Sequence, residues 1–93
     1  MANEIEIEFD PMKDAKNLAK HGVSLGDAQN FGWDTARIEE DIRFFYGEKR
    51  FEATGWLGAR LHVAVYCKRD GKRRMISLRK ANDREFDGYV DQT

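Results

Sequence analysis

Cysteine, proline and histidine are nearly missing from this 93-residue chain, which has one Cys, one Pro and two His. A lone Cys67 cannot close an internal disulfide, and with only His21 and His62 beside it there is no paired-ligand spacing of the zinc-site kind. Neither staples nor a metal or other cofactor is expected. No window approaches the roughly 18 apolar residues that cross a bilayer. The Met1-Ala2-Asn3-Glu4 opening also lacks the basic-then-apolar pattern of a leader. A cytoplasmic protein without membrane contact is predicted. Repeats, low-complexity tracts and Pro/Gly/Ser-rich linkers are absent as well, and a chain this short buries only about two thirds of its unfolded surface, so one domain over 1–93 is expected.

What is present is charge, at 35% of residues, together with eleven aromatics that argue against disorder. The net charge of −1 conceals a division along the chain: residues 1–48 sum to −6, 49–84 to +8 and 85–93 to −3. Attraction to phosphate depends on local charge, so the basic block is compatible with nucleic acid despite a pI of 6.1. Equally, the blocks would serve as solvated faces that pair with each other across the fold.

Residues 4–10 alternate, with Ile5, Ile7 and Phe9 opposed to Glu4, Glu6, Glu8 and Asp10, which predicts a half-buried strand. Asp10-Pro11 then starts a helix, carrying an apolar stripe of Met12, Ala15, Leu18 and Ala19 and ending at Gly22. A second helix is expected from Ser24 to Gly32, with Asp27 at its capping-box position and Leu25, Ala28 and Phe31 on one face. Strands follow in Thr35–Phe45 and at about 49–56, 61–68 and 73–80, and Asn82 with Glu85 opens a last helix. This is an α+β order: an antiparallel sheet packed on one face by two N-terminal helices, with a C-terminal helix.

Asp70-Gly71 predicts a two-residue type I′ hairpin pairing Tyr66 with Met75 and His62 with Arg79. A three-residue Leu57-Gly58-Ala59 loop would place Phe51, Ala53 and Gly55 with Leu61, Val63 and Val65. In that register Leu61, Val63, Val65, Ile76 and Leu78 form the core face, which also takes Cys67 as an inert hydrophobe. Arg50, Glu52, Thr54, His62, Tyr66, Lys68, Arg73, Met75, Ser77 and Arg79 share the other face. Basic groups interleaved with an aromatic suit single-stranded RNA, and they equally suit a sheet face whose cross-strand charges keep it soluble.

Several segments together resemble the BrnT toxins of bacterial type II toxin–antitoxin pairs. They are Phe9-Asp10-Pro11 with Lys13 and Asn17, Lys20-His21-Gly22-Val23-Ser24, Gly47-Glu48-Lys49-Arg50-Phe51 with Gly55, and Ile76-Ser77-Leu78-Arg79-Lys80-Ala81 with Arg84-Glu85 and Tyr89. The resemblance implies a RelE-like fold and a metal-independent endoribonuclease that arrests translation. It further implies neutralisation by a BrnA-like ribbon-helix-helix antitoxin, through which alone the chain would meet promoter DNA.

Such cleavage requires a proton acceptor for the 2′-hydroxyl, cations on the phosphorane-like transition state and a donor to the 5′-oxygen. Arg79 and Arg50 are the candidate phosphate stabilisers, and His62 and His21 the candidate acid–base groups. Lys20, Tyr66, Lys68, Arg73, Lys80, Arg84 and Tyr89 are the candidate RNA contacts. Bland roles stand beside these: an ion pair with Glu52 for Arg50, a structural role for His62, helix-dipole service for His21 and helix docking for Tyr89. The rival class is a non-catalytic module whose basic face docks an acidic partner protein or RNA. DNA binding is disfavoured because no basic recognition helix is visible.

Overall fold

The computed structural model describes residues 6–43 and 47–92. Glu4 and Ile5 of the expected first strand, and Phe44 and Phe45 of the expected second, lie outside these. The elements are β1 (Ile7–Glu8), α1 (Pro11–His21), β2 (Arg37–Asp41), β3 (Arg50–Leu57), β4 (Arg60–Arg69), β5 (Lys72–Lys80) and α2 (Asp83–Val90), with 3₁₀ segments at Leu25–Asn30 and Trp33–Thr35. The strands form one sheet in the order β1-β5-β4-β3-β2. The expected antiparallel sheet is thus a mixed one, because β1 runs parallel to β5. No helix among the described residues is long and apolar enough to cross a membrane.

The helix boundaries follow their local chemistry. Asp10 accepts from Met12 N at 3.0 Å, Pro11 takes the first helical position and Gly22 ends α1 with φ +73°. At α2, Asn82 accepts from Glu85 N at 2.8 Å while Glu85 accepts from Asn82 N at 2.9 Å, a complete capping box. The second helix differs from expectation: Leu25–Asn30 is 3₁₀, with Ser24 its N-cap as expected, accepting from Gly26 N at 3.1 Å. Asp14 of α1 reaches the same end, accepting from Leu25 N at 2.7 Å and from Ser24 Oγ at 3.0 Å.

Two register corrections decide which side chains share a face. The β3–β4 connection is a two-residue Gly58-Ala59 turn that pairs Leu57 with Arg60, one residue shorter than expected. Phe51, Ala53 and Gly55 therefore stand with Tyr66, Ala64 and His62, and the whole of β4 is turned over relative to the expected register. At the β4–β5 hairpin, Asp70 and Gly71 have φ +52° and +78° and Tyr66 pairs with Met75 as expected. Beyond it, a bulge at Ile76 shifts the pairing, so that Ala64 meets Leu78, Val63 meets Arg79 and His62 meets Lys80.

The main core lies between the 3₁₀ segments and the inner face of the sheet, built from Val23, Leu25, Ala28, Phe31, Ala53, Ala64, Tyr66, Met75 and Leu78. Gly55 is required there, since a Cβ would lie 2.9 Å from the Phe31 ring and 3.0 Å from Ala36. Leu61, Val63 and Cys67, expected to face the helices, are buried on the opposite, outer face. There α2 packs through edge contacts of Trp56 with Phe86 and Tyr89, and Tyr89 donates to Thr35 O at 2.9 Å. Ile76 is only half-buried.

α1 is inverted relative to its expected role. The stripe of Met12, Ala15, Leu18 and Ala19 faces solvent, while Asp14, Asn17 and His21 turn inward. Asn17 carries the attachment, donating to Val23 O and Leu78 O at 2.8 Å each and accepting from Leu78 N at 3.1 Å. Its amide thus completes the β5 edge beyond the reach of short β1. Asn17→Ala strands these buried groups and is expected to cost roughly 2–3 kcal/mol, read as a lower midpoint in denaturant melts. A change under about 0.5 kcal/mol would show that water replaces the amide.

Candidate functional site

Attachment of α1 through Leu78 places the end of that helix against the next residue of β5. His21 is half-buried there, and burial, then Lys20, then Arg79 lower its pKa below the usual histidine value. His21, with Lys20 beside it in the chain, thus lies within electrostatic reach of Arg79, 58 residues along the chain. Arg79 is itself oriented from the other side: its Nη1 and Nη2 donate to the two carboxylate oxygens of Glu85 at 2.9 and 2.8 Å. A fork-to-fork pair of this kind fixes the guanidinium plane as well as its position. Bonding to Arg79 holds the Glu85 carboxyl below the usual carboxylate range, and bonding to Glu85 raises the guanidinium. Glu85 is therefore both the α2 cap and the Arg79 partner.

Around this cluster the outer face carries Arg37, Arg50, Arg74 and Arg79 together with Glu39, Asp41, Glu52 and Ser77, as the pairings of β2 to β5 require. Arg50 shares the face with Arg79 but not its neighbourhood: two strand spacings and four residues separate them, ~10 Å by ~13 Å. Asp41 binds Arg43 at 2.9 Å, with Glu52 3.7 Å from the same guanidinium, and Arg74 pairs with Glu8 at 3.2 Å. The face is a lattice of alternating charge rather than a basic plate. No group of three or more His, Cys, Asp or Glu side chains poised to hold a metal ion occurs among the described residues.

Several of the expected site residues fall elsewhere once the β4 register is known. His62, expected to share a face with Arg79, lies on the inner face at 4% exposure, with Nδ1 2.9 Å from Arg60 O. Tyr66 is 1% exposed, between Trp33 at 5.3 Å and Phe51 at 5.5 Å, and presents no ring to a base. Arg73 lies 4.1 Å over the Trp33 ring and Lys68 5.1 Å over Phe51, so both basic groups cover inner-face aromatics. Tyr89 is buried and docks α2. Lys80 is exposed at the end of β5 on the inner-face alternation, and Arg84 is exposed on α2. Burial pushes the Cys67 thiol up, with Glu48 adding to it, as befits an inert side chain.

The structure thus pairs Arg79 with Glu85, sets the Lys20-His21 end of α1 within electrostatic reach of them, and sets Arg50 further along the same face. Sequence reasoning missed Glu85 because its capping role already accounted for it. The signal available for Glu85 was its spacing of six from Arg79 across a short connection.

A family model described as the ribonuclease toxin BrnT of type II toxin–antitoxin systems matches residues 9–85. Among solved structures, the 1.1 Å crystal structure of the Brucella abortus ribonuclease toxin BrnT aligns with a TM-score of 0.69 at 22% identity, covering 85% of this chain and 99% of that one. At that identity the likeness establishes the shared α+β fold. A search of curated proteins gave no match. The family match spans both the Lys20-His21 corner and Arg79 with Glu85.

Proposed function

Because the chain belongs to the BrnT family of ribonuclease toxins of type II toxin–antitoxin systems, we propose that it is a metal-independent endoribonuclease of RelE-like type whose active site is the Lys20, His21, Arg79 and Glu85 corner. It arrests translation in the cytoplasm and is neutralised by a ribbon-helix-helix antitoxin. The observation that carries this reading is the anchoring of α1 by Asn17 on Leu78, which brings the His21 end of the helix toward Arg79, whose guanidinium plane Glu85 fixes. A neutral imidazole beside a fixed guanidinium is what attack of a 2′-hydroxyl on its own phosphodiester requires.

In this reading the depressed pKa keeps His21 unprotonated near neutrality, free to take the 2′-hydroxyl proton. The 2′-oxygen bonds to phosphorus, charge builds on the non-bridging oxygens, and Arg79 stabilises it. Glu85 engages two of the five guanidinium donors and fixes their plane, Lys80 O accepts a third from Nη1 at 3.3 Å, and the edge of Nε with the second Nη2 hydrogen is left for phosphate. The P–O5′ bond then breaks, and Lys20 is the candidate donor of a proton to the departing oxygen. Arg50 and Arg84 are candidate contacts for flanking phosphates, and Lys80 borders the corner.

Purified protein is expected to cut RNA in excess EDTA and to leave 2′,3′-cyclic phosphate ends. With His21 as base, the rate should fall as pH drops through its lowered pKa, giving an acid limb centred below about 6.5 that His21→Gln removes. Intact RNA with or without ribosomes would favour the non-catalytic docking module. Loss of cutting only on chelation would overturn metal independence, and an unchanged acid limb in His21→Gln would assign the base elsewhere.

A further inference from the structure

α1 is attached to the fold through polar groups and turns its apolar side to water, the reverse of an ordinary surface helix. Met12 is 70% exposed and Leu18 52%. Every exposed residue of α1 is apolar or basic: Pro11, Met12, Ala15, Leu18 and Ala19, with Lys13, Lys16 and Lys20. Its one acid, Asp14, is turned inward onto Ser24 and Leu25. At 100° per residue Met12, Ala15 and Ala19 form the outward crest and the three lysines line one flank of it. None of those lysines pairs with a carboxylate among the described residues.

We propose that this outward face of α1 is the docking surface for an amphipathic helix of a partner protein, one whose apolar stripe is bordered by Asp and Glu. The two alanines of the crest let a second helix approach closely, Met12 and Leu18 are the side chains left to be desolvated, and the lysine flank selects acidic residues opposite. A second copy of this chain fits less well, since antiparallel two-fold pairing of α1 sets lysine flank against lysine flank. Phosphate alone gives no account of the exposed Met12 and Leu18, which an RNA backbone leaves in water.

The test uses the full chain and two synthetic helical peptides of about 18 residues with the same Leu/Ala stripe, one flanked by Glu and one by Lys, followed by fluorescence anisotropy. The Glu peptide is expected to bind at least about tenfold more tightly than the Lys peptide. Met12→Asp, and independently Leu18→Gln, should weaken it about tenfold or more with unchanged melting. Lys13→Glu with Lys16→Glu should reverse the preference between peptides. Absence of binding, equal binding of both peptides, or binding indifferent to both Met12→Asp and Leu18→Gln would overturn the proposal. So would finding that these two substitutions weaken instead a single-stranded RNA oligonucleotide or self-association by sedimentation.

Discussion

Arg79→Ala is expected to lower RNA cleavage by roughly 100-fold or more while leaving a folded protein. A donor aimed at charge that develops in the transition state is worth about 3 kcal/mol in rate, comparable to removal of one oxyanion-stabilising group. The stability cost is smaller but not zero. The Arg79–Glu85 pair joins β5 to α2, yet both side chains are about a third exposed, 32% and 27%, so its loss is expected to cost about 1 kcal/mol. Arg79→Lys, which keeps the charge and loses the two-pronged grip, should recover part of the activity. Leu78→Ala is the contrasting control, at about 2–5 kcal/mol, because Leu78 is fully buried. Ile76, the control that alternation alone favours, sits half-buried at the bulge and would give a weaker signal. Thermal melts and single-turnover cleavage on the three variants decide the matter. Cutting at the wild-type rate by folded Arg79→Ala would remove Arg79 from the site.

Tyr66→Ala is expected to have the largest effect on stability, about 3–5 kcal/mol, and no direct effect on chemistry. Tyr66 is among the largest fully buried side chains, and its removal leaves Trp33, Phe51 and Arg73 without the ring they pack against. Tyr66→Phe keeps the ring and should cost far less. Denaturant midpoints at constant slope measure the difference. Cleavage normalised to folded protein should match wild type in both variants. A folded Tyr66→Phe that had lost cleavage would return the residue to the RNA site and contradict the inner-face assignment.

The Arg79–Glu85 pair also carries a pH signature, because Glu85 has a folded-state pKa below its unfolded one. Its contribution is complete above the unfolded glutamate pKa, and it is lost as pH falls through the lowered folded value. Discounted for exposure, this is a modest slope in acid, and it should vanish in Arg79→Ala.

Features settled within a few residues of chain were legible in the sequence. Asp10-Pro11 and Gly22 bounded α1, Asn82 with Glu85 opened α2, and Asp70-Gly71 set the hairpin, because a cap or a tight turn is satisfied by neighbours in the chain. The family likeness of the quoted segments was likewise legible, and the family match over residues 9–85 bears it out. Faces were another matter. Leu61, Val63 and Cys67 are apolar and buried at odd positions of β4, and Ala64 and Tyr66 at even ones, so the strand is covered on both faces. A strand buried on both faces carries no alternation to set its register. One residue in the Gly58-Ala59 turn therefore moved Tyr66 and His62 from the expected RNA face into the interior. Only the tertiary structure decided that Asp14 and Asn17 turn α1 inside out, that Arg79 pairs with Glu85, and that His21 comes within their electrostatic reach. Those contacts join residues from different elements, most of them far apart in the chain, and the attachment of α1 depends on a sheet edge that β1 is too short to cover.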